Sequence, residues 1–296
     1  MTLAPICLFV YNRPEETELT LNALKANYLA KESELFVFCD GPKNLQDKEK
    51  VEKVRELIYE LKGFKKVEIK EKEKNIGLAN SIINGVTEII NKFGKIIVLE
   101  DDLVTSPNFL DFMNQALDFY KNFGQIHSIS GYTLNLKSIR NLEYDNYFGR
   151  RASSWGWATW KDRWEKTDWE VKDFKEFRFN LLERLRFNRG GSDMSRMLIN
   201  KQKGNIDSWA IRWCYSQFQN SQLTIYPKCS KVQNIGFGTN STHTKKGKRF
   251  ITNLDRTNMQ DFRFDHNIKL NKKIDREYRS LYSILSRLKN RIIINK

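Results

Sequence analysis

The sequence predicts an α/β protein in which a mostly parallel β-sheet is flanked by helices. Two observations favour this fold class. Short apolar runs, which are typical of buried strands, alternate with segments of helical apolar spacing throughout the first hundred residues. Such alternation places parallel strands in one sheet, with the connecting helices on its faces. The chain of 296 residues, 40 % of them hydrophobic, is also long enough to bury a substantial core.

The predicted elements follow one another in βα order. Four apolar or alternating runs predict strands, at residues 4–11, 34–40, 65–73 and 95–99. The third run alternates at period two and is expected at the edge of the sheet. Three apolar stripes predict helices. The first is opened by Pro14, and the other two, at 47–63 and 75–94, each end at a glycine.

The composition is basic, with 51 Lys and Arg residues against 36 Asp and Glu, a formal charge of +15. A basic chain favours anionic partners, and charge alone does not distinguish nucleic acid, nucleotides and anionic lipid headgroups. The four cysteines form no C-x-x-C pair, so neither a disulfide framework nor a zinc site is expected. The apolar start lacks a basic leader, and no run is long enough to span a membrane. We therefore expect a cytoplasmic protein, or one on the inner face of the cell membrane.

Polar residues follow three of the predicted strands at the point where each strand ends. Arg13 comes after the first strand, Asp40 after the second, and Glu100, Asp101 and Asp102 after the fourth. Ligands of parallel α/β sheets bind at the carboxyl ends of the strands. The sequence therefore predicts one site at this edge of the sheet.

The acid triplet 100–102 implies strong repulsion at the end of a buried strand. Two carboxylates about 5 Å apart repel each other by roughly 3 kcal/mol at an effective dielectric of about 20. A hard divalent cation, completed by a nucleotide diphosphate, would compensate this repulsion. Along an extended strand Glu100 and Asp102 would share one face and Asp101 the other. The alternative is a solvated acidic turn or a helix N-cap ahead of Pro107.

The other strand ends also have two interpretations. Arg13 could pair with a phosphate through its guanidinium, and Asp40 could accept a hydrogen bond from a base or a ribose hydroxyl. Asn75 would lie at a helix N-terminus, where backbone N–H groups favour anions. Ordinary turn and helix-cap chemistry explains the same residues. No G-x-G-x-x-G or P-loop motif is present, which disfavours dinucleotide-binding and P-loop proteins.

Three later segments are candidates for the rest of a site. The aromatic block 153–164 could stack on sugar rings or form packed core. Asp207 precedes an apparent helix and is either its N-cap or a functional carboxylate that faces the pocket. The basic loop 240–249 contains His243 and Lys245. It could fold over a diphosphate as a lid, with His243 as an extra ligand, or be a solvated loop.

Taken in order, these motifs resemble those of nucleotide-sugar glycosyltransferases of the GT-A fold. The most specific likeness is IIVLEDDLVTSPNFLDFM at 96–113, an apolar strand followed by Glu-Asp-Asp-Leu, a spacer with proline and an aromatic-rich helix. SISGY at 128–132, the Gly-Trp block, Asp207–Trp209 and the GFG turn at 236–238 follow in the same order. The resemblance covers about residues 4–250. Within this fold, the chain resembles bacterial family-2-like sugar transferases and enzymes of the N-acetylglucosaminyltransferase I type.

The resemblance implies a role for each acid of the triplet and for the other strand ends. Asp102 would be the direct ligand of a metal ion, usually Mn²⁺ and otherwise Mg²⁺. Glu100 and Asp101 would contact the ribose or the sugar of the donor. Arg13 and Asp40 would hold the phosphate and the base of the nucleotide.

The resemblance also implies the reaction. Asp207 would be the general base of an inverting transfer. The related enzyme has two adjacent acids before the tryptophan where this chain has Asp207-Ser208, so the base could also correspond to the second position. The expected function is a metal-dependent glycosyltransferase that moves a sugar from a nucleotide-diphospho-sugar, expected to be UDP-linked, to a glycan or lipid-linked acceptor in surface polysaccharide synthesis.

The expected domain organisation is a GT-A domain over 1–250, with a nucleotide-binding half (1–105) and an acceptor half (106–250), and a helical tail over 251–296. The tail contains a basic amphipathic helix that either lies on an anionic membrane or packs on the domain.

Two other functions stay open. A nucleotidyltransferase acting on sugar phosphates would need a glycine-rich loop after the first strand. A non-catalytic binder of polyanions or nucleic acid leaves the acid triplet unexplained, and no nucleic-acid partner is expected.

Overall fold

A computed structural model describes residues 2–236, 250–283 and 286 of the chain. Its strands are β1 Ile6–Val10, β2 Glu34–Cys39, β3 Lys66–Glu71, β4 Lys95–Glu100, β5 Leu103–Thr105, β6 Ile126–Ser130, β7 Asn146–Gly149, β8 Trp157–Trp160, β9 Leu223–Pro227 and β10 Val232–Asn234. Its α-helices are α1 Pro14–Lys25, α2 Leu45–Tyr59, α3 Leu78–Phe93, α4 Phe109–Phe119, α5 Lys161–Trp164, α6 Phe174–Phe179, α7 Leu181–Phe187, α8 Met194–Gln202, α9 Trp209–Gln219 and α10 Lys272–Leu281. Short 3-10 helices lie at Ala30–Glu32, Lys137–Ile139 and Asn188–Gly190.

Eight of these strands form one sheet in the order β3-β2-β1-β4-β8-β6-β9-β7. β1 pairs in parallel with β2 and β4, and β2 pairs in parallel with β3. β6 and β9 also pair in parallel, whereas β8 and β7 run antiparallel to their neighbours. The predicted mostly parallel sheet flanked by helices is confirmed, as is the edge position of the 65–73 strand.

Side-chain alternation in β1 divides the core into two layers. Ile6, Leu8 and Val10 face a cluster formed with α1, α2 and α4. Cys7 and Phe9 face a second cluster formed with α3 and α9. Both faces of the sheet are therefore covered, which explains why the strands of this half are continuous apolar runs.

Local signals explain where the first helices begin and end. Pro14 lies in the first turn of α1, where its missing N–H costs no helical hydrogen bond. α3 ends at Gly94, whose φ of 76° is the left-handed conformation that glycine adopts without strain. The predicted helix 47–63 spans Leu45–Tyr59 instead. It starts earlier because the Asn44 side chain accepts the Asp47 backbone N–H and caps the helix there.

The two predicted halves of the domain share one sheet. β8 belongs to the second half but pairs with β4 of the first, and β6 lies on its other side. The SISGY motif at 128–132 overlaps β6, which spans Ile126–Ser130. β10 pairs with β5, directly after the acid triplet, and brings residues 234–236 to that turn.

The predicted helical tail 251–296 differs from the structure in its first part. Within the described residues the helix spans Lys272–Leu281, and residues 251–271 contain no helix. This preceding segment crosses α4, where the rings of Phe262 and Phe264 lie 5.2 and 5.6 Å from a phenylalanine ring of that helix. The period-two spacing of these two residues fits an extended chain that packs on the core.

α10 turns its apolar face towards the domain. Ile274 and Tyr278 are buried, and the ring of Tyr278 lies 5.8 Å from that of Tyr226 in β9. In the described part of the tail, packing on the domain is therefore the observed alternative. None of the helices in the described ranges is long and apolar enough to cross a membrane.

Candidate functional site

A cavity of about 740 Å³ opens at the carboxyl ends of β1, β2 and β4. Seven of the predicted site residues line it, namely Arg13, Asp40, Asn75, Glu100, Asp101, Asp102 and Asp207. The other two, His243 and Lys245, lie outside the described residues. The volume is within the range of pockets that enclose small organic ligands.

The acid triplet lies in a turn more than in a strand. β4 ends at Glu100, and the chain turns at Asp101 and Asp102 before β5 begins. The Tyr11 N–H donates to the Asp101 carboxylate at 3.2 Å, and the Thr20 hydroxyl donates to the Asp101 carbonyl at 2.8 Å. Because the strand stops at Glu100, strand alternation does not determine the faces of the next two side chains.

Arg13 pairs with two acids of the triplet. Its Nη1 lies 2.8 Å from Asp102 Oδ2 and 3.7 Å from Asp101 Oδ1. The arginine expected to bind a phosphate is thus engaged by carboxylates in this structure, and it holds the Asp102 side chain in place. One guanidinium against three carboxylates leaves the cluster negative when all of them are ionised.

Burial and mutual repulsion favour the neutral forms of the triplet. Burial, and then the neighbouring Asp102 and Asp101, raises the pKa of Glu100 well above its usual range. Burial and the charge of Asp102 raise the pKa of Asp101 to about 7, against the opposing effect of Arg13. Burial also raises the pKa of Asp102. An added cation would favour the ionised form of all three acids.

Asp40 and Asn75 join the end of β2 to the start of α3. The Asp40 carboxylate accepts from the backbone N–H groups of Gly41, Ile76 and Gly77, each at 3.0 Å. Asn75 Nδ2 donates to the Gly41 carbonyl at 3.1 Å. Turn chemistry therefore accounts for both side chains in this structure, and their contacts with a nucleotide stay predictions.

Asp207 is not the N-cap of the helix that follows it. α9 begins at Trp209, and its N-cap is Ser208, whose hydroxyl accepts from the Ile211 N–H at 3.4 Å. The Asp207 side chain lines the cavity beside Gly77. Its Oδ2 lies 3.7 Å from the position that a Cβ at Gly77 would take. Within the described ranges, no group donates a hydrogen bond to this carboxylate. Its carboxylate is therefore available to a ligand in the cavity.

The aromatic block divides between core and cavity. Trp157, Trp164 and Trp213 are buried together, with ring centroids 5.1 to 5.8 Å apart. Trp155 instead lines the cavity, and its ring meets that of Tyr132 edge-on at 4.5 Å. Within the block, Trp157 and Trp164 are therefore core residues that pack against Trp213 of α9, and Trp155 is the candidate for contact with a ligand.

Two neutral residues that line the cavity, Asn234 and Gly236, were not predicted as site residues. They reach the site because β10 pairs with β5, and the Ile235 N–H donates to the Asp102 carbonyl at 2.9 Å. A Cβ at Gly236 would overlap the Asp102 carboxylate, which explains the glycine. The GFG turn was the one sequence signal for this segment. The cavity lining also contains charged residues that were not predicted, namely Glu15, Glu16, Lys43 and Lys50.

The residues present fit a hard divalent cation that shares its coordination with a bound ligand. Carboxylate oxygens are the donors that Mn²⁺ and Mg²⁺ prefer, and Asp102 supplies them beside the open cavity. In the part of the chain that the structure describes, no group of three or more acid, His or Cys side chains could hold a metal ion by itself. Phosphate oxygens, water or the predicted His243, which lies outside the described residues, would supply further ligands.

No protein-family model matches the chain, and no curated protein matches it. Among solved structures, it is similar to the mannosyltransferase PcManGT from Pyrobaculum calidifontis in complex with GDP-Man and Mn²⁺, with 12 % identity and a TM-score of 0.36. This similarity covers 54 % of the chain and 46 % of the mannosyltransferase, so the chain spans less than half of that relative.

Two further solved glycosyltransferases are similar over more of the chain. The galactosyltransferase LgtC, in complex with donor and acceptor sugar analogues, has 11 % identity and a TM-score of 0.38 over 72 % of this chain and 70 % of LgtC. Mouse xyloside xylosyltransferase 1 has 10 % identity and a TM-score of 0.35 over 72 % of this chain and 80 % of the mouse protein. At such identities the similarity concerns the fold alone, and the function has to be inferred from the side chains that line the cavity.

Proposed function

We propose that the chain is a metal-dependent glycosyltransferase that transfers a sugar from a nucleotide-diphospho-sugar with inversion. The observation that carries this proposal is the charge of the cavity. Seven carboxylates and three basic side chains line it, at the sheet edge where ligands of parallel α/β proteins bind. Phosphate groups alone would be repelled there whenever these acids are ionised. A nucleotide diphosphate together with a divalent cation would satisfy both the carboxylates and the phosphates.

The donor half of the site centres on Asp102. This carboxylate is the proposed protein ligand of the cation, which when bound would stabilise the charge that develops on the leaving diphosphate. Arg13 orients Asp102 through the 2.8 Å contact and is proposed to contact a donor phosphate as well. Glu100 and Asp101 are proposed to contact the ribose or the sugar.

The nucleoside is proposed to lie against the wall that Asp40 and Asn75 shape. UDP is the first candidate, because the motif resemblance implies it. His243 and Lys245, outside the described residues, are proposed to close over the diphosphate. Their part in the proposal rests on the basic, hydroxyl-rich sequence of that loop.

Asp207 is the proposed general base. Its carboxylate faces the cavity, whereas the neighbouring Ser208 is engaged as the cap of α9. An acceptor hydroxyl would give its proton to Asp207 while its oxygen attacks the anomeric carbon from the face opposite the leaving diphosphate, which inverts the configuration. General-base assistance of this kind contributes about 10²–10⁴-fold to the rate.

The acceptor is proposed to be a growing surface polysaccharide or a lipid-linked glycan on the cytoplasmic side of the membrane. Trp155 is consistent with a carbohydrate acceptor, because it lines the cavity and indole rings commonly contact the apolar side of sugar rings. The acceptor would then contact the half of the domain over 106–250, and the donor the half over 1–105.

Two alternatives account for less of the site. A nucleotidyltransferase acting on sugar phosphates would need a glycine-rich phosphate loop after β1, where residues 11–13 instead lead directly into α1. A non-catalytic binder of polyanions or nucleic acid is suggested by the charge of +15. The acidic cavity would repel such a ligand, and this alternative assigns no role to Asp102.

The test is turnover of a panel of nucleotide-diphospho-sugars by the purified chain with Mn²⁺, followed as release of nucleoside diphosphate. Asp207→Asn should lower transfer to an acceptor by at least about 10²-fold while keeping donor binding. Asp118→Asn, at an exposed position outside the cavity, is the matched control and should keep wild-type turnover. Wild-type turnover in Asp207→Asn would remove Asp207 from this role, and turnover of no donor would refute the activity.

A further inference from the structure

Four large apolar side chains stand exposed beside one another on the short helices α6 and α7. Phe179 is 72 % exposed, Leu181 67 %, Leu182 69 % and Leu185 65 %. The other strongly exposed apolar residues of the described chain occur singly along the sequence. These four residues form the α6–α7 patch, and an apolar patch of this kind on a protein surface indicates an interaction site.

The α6–α7 patch is not a region that failed to pack, because the same two helices are anchored on their inner side. Phe177 and Phe187 are buried, and their rings lie 4.9 and 5.4 Å from the ring of Tyr215 in α9. Asn180 caps α7 by accepting from the Glu183 N–H at 3.1 Å. The helices are thus held in place with a second apolar face directed to solvent.

The rim of the patch, taken as residues 172–189 around it, has six basic side chains against three acids. Glu183 and Arg186 pair with each other at 2.7 Å, and Asp173 accepts from the Tyr215 hydroxyl at 2.6 Å. All three acids line a groove between these helices and α9. The guanidinium of Arg178 lies 5.4 Å from the ring of Phe179. Six basic residues occupy the same segment, namely Lys172, Lys175, Arg178, Arg184, Arg186 and Arg189.

We propose that the α6–α7 patch docks on an anionic membrane surface, with its apolar side chains at the acyl boundary and the basic rim at the headgroups. Short segments rich in Leu, Phe and Arg lie in the membrane interface in this way. Basic side chains next to an anionic leaflet strengthen such binding. These side chains are about two-thirds exposed, so they could enter the acyl boundary without a rearrangement of the protein.

The apolar face of α10 is buried in the domain, so the α6–α7 patch is a membrane contact separate from the described part of the tail. Residues 284, 285 and 287–296 of the predicted tail lie outside the described residues. The inference stands independently of the proposed activity.

The test is flotation of the full chain with vesicles of phosphatidylcholine, alone or mixed with phosphatidylglycerol. We expect binding to the anionic vesicles, and binding at least about tenfold weaker after Leu181→Ser, Leu182→Ser and Leu185→Ser are combined. The matched control combines Leu19→Ser, Leu45→Ser and Ile251→Ser, three exposed apolar residues outside the patch, and should bind like the wild type. Anionic-vesicle binding that survives the patch substitutions, or no binding by the wild type, would overturn the proposal.

Sedimentation of the same proteins without lipid separates docking from self-association. We expect the wild type and the patch variant to sediment alike, and their thermal unfolding to differ little because the substituted side chains are exposed. A dimer of the wild type that the patch substitutions dissociate would overturn the membrane proposal in favour of a contact between two copies of the chain.

Discussion

At the scale of single residues, the site depends on how closely the backbone approaches Asp102. Gly236 lies where a Cβ would overlap the Asp102 carboxylate and come within 3.1 Å of Arg13 Nη1. The same Nη1 lies 2.8 Å from Asp102 Oδ2. One glycine therefore sets the space available to the proposed metal ligand and to the arginine that orients it.

Gly236→Ala should displace the Asp102 carboxylate and reduce nucleotide-sugar turnover by about 10²-fold, since a small misplacement of a catalytic group costs that much. Gly124→Ala is the matched control, because no atom beyond its chain neighbours lies within 4 Å of its Cβ position. Turnover and cation-dependent donor binding are measured for both variants. Wild-type turnover in Gly236→Ala would contradict the role given to Asp102.

His127 is a buried titratable residue outside the site. Its Nδ1 lies 2.9 Å from Gln222 Oε1, and burial lowers the pKa of the imidazole from 6.5 to about 3. Because the pKa is lower in the folded state, the unfolded chain binds the proton more tightly. The stabilisation is present above the unfolded pKa and is lost as the pH falls from 6.5 towards 3.

We expect this residue to remove about 2 kcal/mol of the free energy of unfolding by about pH 5, and about 5 kcal/mol once the pH is below both pKa values. His127→Gln should flatten this part of the stability profile, whereas His266→Gln, at an exposed position, should leave it unchanged. Urea unfolding at neutral and acidic pH measures the difference. The same pH dependence in the wild type and in His127→Gln would refute the prediction.

At the scale of elements, the first half of the sheet could be predicted because its signals are local. β1 to β4 each carry an apolar or alternating run, and Pro14 and Gly94 mark the start of α1 and the end of α3. Each of these signals depends on a few neighbouring residues. The sequence therefore contains them in full, apart from the exact turn at which α2 ends.

The second half could not be predicted in this way, because distant partners position its elements. β8 enters the sheet between β4 and β6 and runs antiparallel to both. The segment before α10 is extended because Phe262 and Phe264 pack on α4, a contact that no local pattern encodes. The same holds for the tail helix, whose apolar stripe was visible but whose partner, Tyr226, was not.

Two neighbouring residues at the start of α9 have different predicted roles: Ser208 stabilises the helix, and Asp207 is the proposed base. Ser208→Ala removes the cap and should lower the free energy of unfolding by about 1 kcal/mol while leaving turnover close to that of the wild type. Asp207→Asn should do the reverse. Chemical unfolding and turnover are measured on both variants. Loss of turnover in Ser208→Ala at unchanged stability would instead assign the catalytic role to the second position of the Asp207-Ser208 pair.

At the scale of the whole molecule, the chain is basic and the lining of its cavity is acidic. The chain carries +15, whereas acids outnumber bases in the lining of the cavity. The basic surface attracts anions in general, and the acidic cavity accepts a phosphate compound when a cation accompanies it. The α6–α7 patch adds a basic rim at a second place on the surface.

The candidate site was predictable as far as its residues are adjacent in sequence to a recognisable strand or helix. The acid triplet 100–102 begins with the last residue of β4, and Asp207 precedes α9. Asn234 and Gly236 were not predictable as site residues, because the pairing of β10 with β5 alone brings them to the triplet. The pairing of Arg13 with Asp102 is likewise a product of the assembled sheet.

The central claim is that the cavity binds a nucleotide-diphospho-sugar together with a divalent cation held by Asp102. The most direct measurement is the thermal shift of the full chain with a panel of UDP-sugars, with and without Mn²⁺, for the wild type, Asp102→Asn and the control Asp118→Asn. We predict that at least one donor raises the Tm of the wild type and of the control with Mn²⁺ but not without it, and that Asp102→Asn loses this shift. An equal shift in Asp102→Asn, a shift independent of the cation, or no shift with any donor would contradict the claim.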